Sequence, residues 1–146
     1  MNDFDRPLND RGNKDAPMMA KRLFDKNIKI DLFVSSPAVR ALTTAKFFFH
    51  EYKAKKEQLV EEKDLYQAPP AVFYGLINQL DDKYDCVAFF SHNPGITEMV
   101  NSLGVAKVDN LPTCSVFGIH ADIKSFKDFQ KANKQFWMFD YPKLVQ

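Results

Sequence analysis

The stretch IDLFVSSPAVR, Ile30 to Arg40, runs from apolar residues through a serine pair and a proline to an arginine. Ile30 to Ser36 is short and apolar, bounded by Asp31 and Pro37, which predicts a buried strand. From Val39 to about Tyr52 the pattern becomes helical, with Leu42, Ala45, Phe48 and Phe49 on the inner face. Arg40 falls in the first turn of that helix, where backbone N–H groups lack intrahelical partners and the dipole end is positive. The same unit recurs downstream. CVAFFS, Cys86 to Ser91, predicts the clearest buried strand of the chain, and His92 follows it directly. NPG then turns into the helix ITEMVNSLG, closed by Gly104.

Working outward, PLNDRG reads as a turn ending at Gly12, followed by a helix from about Asn13 to Asp25 with Met18, Met19, Arg22 and Leu23 near helical spacing. Glu51 to Lys63 reads as a solvated connection with a short strand at Leu59 and Val60. Pro69 and Pro70 open a helix running to about Leu80, since proline suits a first helical turn. Ser115–Ala121 and Lys134–Tyr141 read as two late strands, close enough in sequence to be antiparallel neighbours. Alternation of this kind predicts an α/β fold of three α/β/α layers around a mainly parallel sheet.

The 146 residues fit a single domain spanning 1–146. With 45% hydrophobic and 27% charged residues the balance is globular, and 14 phenylalanines must supply much of the core. The net charge of +1 gives no bulk field for nucleic acid or an anionic membrane, so neither is an expected partner. Any anion site must therefore come from a few placed residues. Cys86 and Cys114 lack paired spacing, which argues against a disulfide or a metal role; Cys86 opens an apolar run and reads as a buried free thiol, with the cytoplasm as the expected compartment. No segment approaches the roughly 18 apolar residues of a membrane span.

Ligands in open α/β sheets bind at the carboxyl ends of the strands. Arg40 and His92 both sit there. Taken singly, Arg40 fits an exposed helix face and His92 fits a capping or core histidine. Two anion-suited groups, each after a buried strand and before a helix, point instead to one phosphate pocket. Arg40 offers a planar fork that can grip two phosphate oxygens.

SSPAVRALTTA together with SHNPGI resembles the histidine phosphatase superfamily, the phosphoglycerate mutase-like group. DFDRPLNDRG, DLYQA at Asp64 to Ala68, and LPTC at Leu111 to Cys114 resemble its SixA-type phosphohistidine phosphatases. The resemblance extends from Asp3 to about Pro142. It implies a phosphatase whose histidine nucleophile becomes transiently phosphorylated, with no metal or other cofactor. The implied partner is phosphate or a phosphohistidine-containing protein. Arg40 matches the second arginine of the family site and His92 its second histidine. Arg6 matches an arginine that approaches the phosphate, and Thr113 a position near the pocket mouth.

One departure matters. The resemblance implies a central first strand ending in an arginine–histidine pair, whose histidine attacks phosphorus; the sequence opens instead on the loop that follows it. His50, late in a helix, and His120, in a late strand, lack the required context. The domain is thus expected to be N-terminally incomplete, with the chain as it stands inactive. The alternative is a non-catalytic module that binds phosphate or phosphohistidine. Either the strands shift to close the gap or another segment fills it, and an open gap favours self-association.

Other residues carry smaller expectations. Glu98 reads as facing solvent, leaving no strong general acid, which suits phosphohistidine better than alkyl phosphates. Tyr66 fits a pocket cover or an ordinary packed tyrosine. Arg11 reads as a local cap or pair, Asp3 and Asp5 as solvated or positioning Arg6, and Trp137 as core.

Overall fold

A computed structural model of the protein describes residues 1–144. The first helix, α1 (Asp10–Asp25), begins earlier than its apolar spacing predicts. The reason is Asn9, whose side chain accepts the Gly12 N–H at 2.8 Å and caps the helix. PLNDRG is therefore not all turn: its last three residues form the first helical turn.

Strand β1 (Leu32–Ser35) is buried along its whole length. It pairs in parallel with β2 (Leu59–Glu61) on one edge and β3 (Val87–Phe90) on the other. The Asp31 carboxylate accepts the Asp85 and Cys86 N–H groups, at 2.8 and 2.9 Å, and ties the starts of β1 and β3 together. Helix α2 (Val39–Glu51) packs beside α1 on one face of this sheet. Helices α3 (Pro70–Asn78) and α4 (Gly95–Ser102) cover the other. Alternation along β1 serves both layers. Leu32 and Val34 meet Phe73, Ile77 and Met99, while Phe33 meets Met19, Leu23 and Phe48. Phe33 is fully buried, edge-on to Phe49 and Tyr52 and stacked on Phe90. Burial of one such side chain stabilises by roughly 1.5–3 kcal/mol. The expected three-layer α/β/α arrangement is therefore present, and Gly104, at φ +76°, follows α4 as expected of a helix end.

The last strands, β4 (Val116–Ala121) and β5 (Lys134–Asp140), form an antiparallel hairpin, as their spacing predicts. This hairpin is a second sheet, and neither of its strands pairs with β3. A cavity of about 530 Å³ lies between them, lined by Val87, Phe89 and Phe90 on one side and Val116, Ile119 and Ala121 on the other. The strands thus do not shift to close the gap.

Several expectations need correcting. The strand from Cys86 is only half-buried at every residue from Val87 to Phe90, because its second edge faces the cavity and not a neighbouring strand. Trp137 is not core: it is 36% exposed and stacks on the exposed His120 ring at 4.4 Å. On α2, Ala41, Ala45 and Phe48 form the buried face, and Leu42 is half-buried. Cys86 and Cys114 are half-buried free thiols, both pushed up to about 11 by burial.

Ion pairs at Asp140 tie the hairpin to the helical layer. Arg22 on α1 donates to Asp140 at 2.8 Å and to the Tyr141 carbonyl at 3.1 Å. Among the described residues no helix is long and apolar enough to cross a membrane.

Candidate functional site

The carboxyl ends of β1 and β3 carry the site. Ser35 and Ser36 are fully buried where β1 ends. The Ser36 hydroxyl accepts the Ala38 N–H at 3.2 Å and shapes the turn into α2. Not every donor expected at this helix start is free, since the Val39 N–H donates to the Phe4 carbonyl at 3.0 Å. That bond brings the N-terminal loop over the strand ends. Arg40 follows immediately, its side chain 22% exposed.

His92 stands just past β3, and its Nε2 is buried without a hydrogen-bond partner. A buried polar atom left unpaired costs about 1–3 kcal/mol, which a bound ligand would relieve. Burial first, and then the Arg40 charge, hold the imidazole below its usual pKa. A hydrogen bond to the Asn93 backbone and the Asp3 charge pull weakly the other way. His92 is therefore neutral at pH 7, and its orphan atom lies within the field of Arg40.

Asp3 joins these parts: of the two readings open to it, solvated or set against Arg6, the second fits, and it reaches Arg40 and Tyr66 as well. Arg40 donates from Nη1 to the Asp3 carbonyl at 2.9 Å and from Nη2 to the Asp3 carboxylate at 3.2 Å. The Tyr66 hydroxyl donates to the same carboxylate oxygen at 2.8 Å, and Arg6 lies 3.5 Å from the other. The Tyr66 hydroxyl above all, and then the two arginines, hold the Asp3 carboxyl below its usual value. The Tyr66 ring packs between Phe4 and His92, with centroids at 5.2 and 5.3 Å. Tyr66 thus packs against both the N-terminal loop and His92.

A second set of contacts holds His92 in place. Asn93 donates to the Leu111 carbonyl at 2.9 Å, the Leu111 N–H donates to the Thr97 hydroxyl at 3.0 Å, and that hydroxyl donates to Asn93. The LPTC loop is thereby fastened to the SHNPG turn. Ser91 donates to the Leu65 carbonyl at 3.3 Å, fastening the DLYQA loop to the same turn. Sequence reasoning missed this lacing. The one available signal was Asn93, an amide-bearing residue just ahead of a helix.

The expected residues are thus brought together unequally. Arg40, His92 and Arg6 share one neighbourhood through Asp3 and Tyr66. Arg6 lies at its rim, 64% exposed. Thr113 is exposed and makes no side-chain hydrogen bond among the described residues. Arg11 pairs locally with Asp15 at 3.4 Å, as expected. Glu98 faces solvent, also as expected, and so does His50. His50 is ten residues along α2 from Arg40, roughly 15 Å at 1.5 Å per residue. Among the described residues no three metal-ligating side chains cluster.

A half-buried imidazole with a buried, unpartnered Nε2, in the field of a guanidinium fork, can hold an anion. The chain belongs to the histidine phosphatase superfamily (branch 1), whose family model matches residues 2–101. No curated protein sequence matches it significantly. Solved structures share its fold. A SixA protein histidine phosphatase complexed with tungstate aligns with TM-score 0.81 at 19% identity, over 97% of this chain and 87% of the other. SixA proteins from Agrobacterium tumefaciens and Nakamurella multipartitia align with TM-scores 0.77 and 0.78 at 21% and 14% identity. They cover 97% and 99% of this chain, and 87% and 89% of their own lengths are covered.

Proposed function

We propose that the Arg40–His92 site holds the phosphoryl group of a phosphohistidine-bearing protein, as the anion-binding part of a metal-independent, SixA-like phosphohistidine phosphatase. The observation that carries this reading is the orphaned, buried Nε2 of His92 within the field of Arg40. The neutral ring, with its one proton on Nε2, donates to a phosphoryl oxygen; Arg40 supplies a charge-assisted fork, and Arg6 reaches in from the rim. Fixed cationic donors of this kind stabilise the charge that spreads over the equatorial oxygens during phosphoryl transfer. The full reaction then runs through attack by a second imidazole on phosphorus, release of the substrate imidazole, and hydrolysis of the phosphoenzyme by water. Exposed Glu98 is no candidate for a general acid, which suits a protonated imidazole leaving group. Neither His50 nor His120 is placed to attack at this site, so the chain as given binds the phosphoryl group without turnover.

The test is tungstate titration by calorimetry, together with phosphate release from a phosphohistidine peptide. The wild-type chain is expected to bind tungstate, with Arg40→Ala and His92→Ala each weakening it at least tenfold. A charge-assisted hydrogen bond is worth about 1.5–3 kcal/mol, which spans roughly 10- to 150-fold. Unchanged affinity in Arg40→Ala would refute the site. Turnover by the chain itself would overturn the inactive reading. Binding without turnover is equally what a non-catalytic phosphohistidine-binding module would show. Appending a strand that ends in Arg-His separates the two, since only the phosphatase reading predicts gained turnover.

A further inference from the structure

We infer that Asp3 is the positioning residue of the anion site, holding Arg40 so that one edge of its guanidinium stays open to ligand; this rests on the reading of the site given above. A guanidinium carries five N–H groups. Asp3 takes one from Nη1 with its carbonyl and one from Nη2 with its carboxylate, so it grips the end edge. The Nε–H and the outer Nη2 N–H are left as a second parallel fork, the geometry that bidentate anion recognition uses. Among the described residues no hydrogen bond is made by Arg40 Nε.

The grip on Asp3 is itself built from several directions. Phe4, next in sequence, is pinned to the start of α2 by the Val39 N–H, at 3.0 Å. Its ring stands edge-on to Tyr66. The Tyr66 hydroxyl donates to Asp3 while its ring faces His92, so one carboxylate sets the spacing between the arginine and histidine halves of the site. Arg6 is drawn to the other carboxylate oxygen. Asp3 therefore touches three of the site's groups and lies one ring away from the fourth.

A carboxylate beside Arg40 could instead act as a resident competitor of phosphate, and the two roles predict opposite signs. Asp3 is 39% exposed, so water screens its repulsion of an incoming anion. The ordering it imposes on a long, otherwise mobile side chain is not screened. Positioning is thus the stronger effect, and removing the side chain should weaken binding about fivefold, the ordering penalty of one rotamer-rich side chain.

The experiment titrates tungstate into wild type, Asp3→Ala and Asp3→Asn, each with and without Arg40→Ala. Asp3→Ala should bind about fivefold more weakly, Asp3→Asn within about twofold of wild type, and Asp3→Ala should add nothing once Arg40 is gone. Equal or tighter binding by Asp3→Ala would make Asp3 a competitor and overturn the inference. The same loss in the Arg40→Ala background would mark a general structural effect and also overturn it. A ligand-free measurement separates this inference from the functional reading. By 15Nε relaxation, Arg40 should be rigid in wild type and mobile in Asp3→Ala. Failure of wild type to bind tungstate sinks the functional reading, whereas equal Arg40 mobility in both proteins sinks the positioning role.

Discussion

Replacing Asp140 by alanine should destabilise the protein by about 3 kcal/mol, the low end of what breaking a buried ion pair costs. Its side chain is 4% exposed and contacts Arg22 at 2.8 Å and Lys26 at 3.5 Å. It also accepts the Tyr141 N–H at 2.8 Å. Arg22, at 19% exposure, would be left in a largely dry setting without its carboxylate. Two factors hold the loss to the low end. Arg22 keeps the Tyr141 and Pro142 carbonyls, at 3.1 and 3.3 Å. Lys26 is 41% exposed, where such a pair is worth about 1 kcal/mol or less. At roughly 3 °C per kcal/mol for a chain of this size, the melting temperature should fall by about 9 °C. Urea unfolding of the four proteins in the Arg22→Ala, Asp140→Ala cycle measures the coupling, expected at about 1 kcal/mol or more. A loss below about 0.5 kcal/mol, or an additive cycle, would refute the claim that this pair fastens the hairpin to α1.

Two further outcomes can be checked. His92 is held below its usual pKa, so on acidification below about 6.5 the unfolded chain binds a proton that the folded one resists. Stability should fall as pH drops through that window and level off below the depressed folded value; the fall between pH 7 and 5 should shrink in His92→Asn, and an identical profile would contradict the assignment. The open edges of β3 and β4 should drive concentration-dependent self-association, measured by sedimentation and reduced by Ile119→Lys in the cavity wall; a monomer at all concentrations would count against it.

The parts of the fold legible in the sequence are those whose burial is settled by their own pattern. β1 is a continuous apolar run and is buried on both faces, as it reads. β3 has an equally apolar sequence, yet its exposure depends on what lies along its second edge, which no periodicity reports. Trp137 looked like core for the same reason: alternation says that one face is apolar, not whether anything covers it. At the site, Arg40 and His92 were readable because each follows a strand and precedes a helix. Asp3 was not, since its partners lie 37 and 63 residues away and a carboxylate near a terminus has no local mark of being held.

Gly95 begins α4 beside His92, and a Cβ built there would come within 2.2 Å of the Ala68 carbonyl oxygen. That distance allows no side chain, and the obstacle is backbone, which cannot rotate aside. The loops bearing Tyr66 and His92 therefore meet like two machined surfaces, main chain against main chain, at a separation that no side chain at position 95 could share. A selection for lost anion binding would accordingly return substitutions at Gly95 as readily as at Arg40. Its hits would map the tolerances of the joint as well as the groups that touch the ligand.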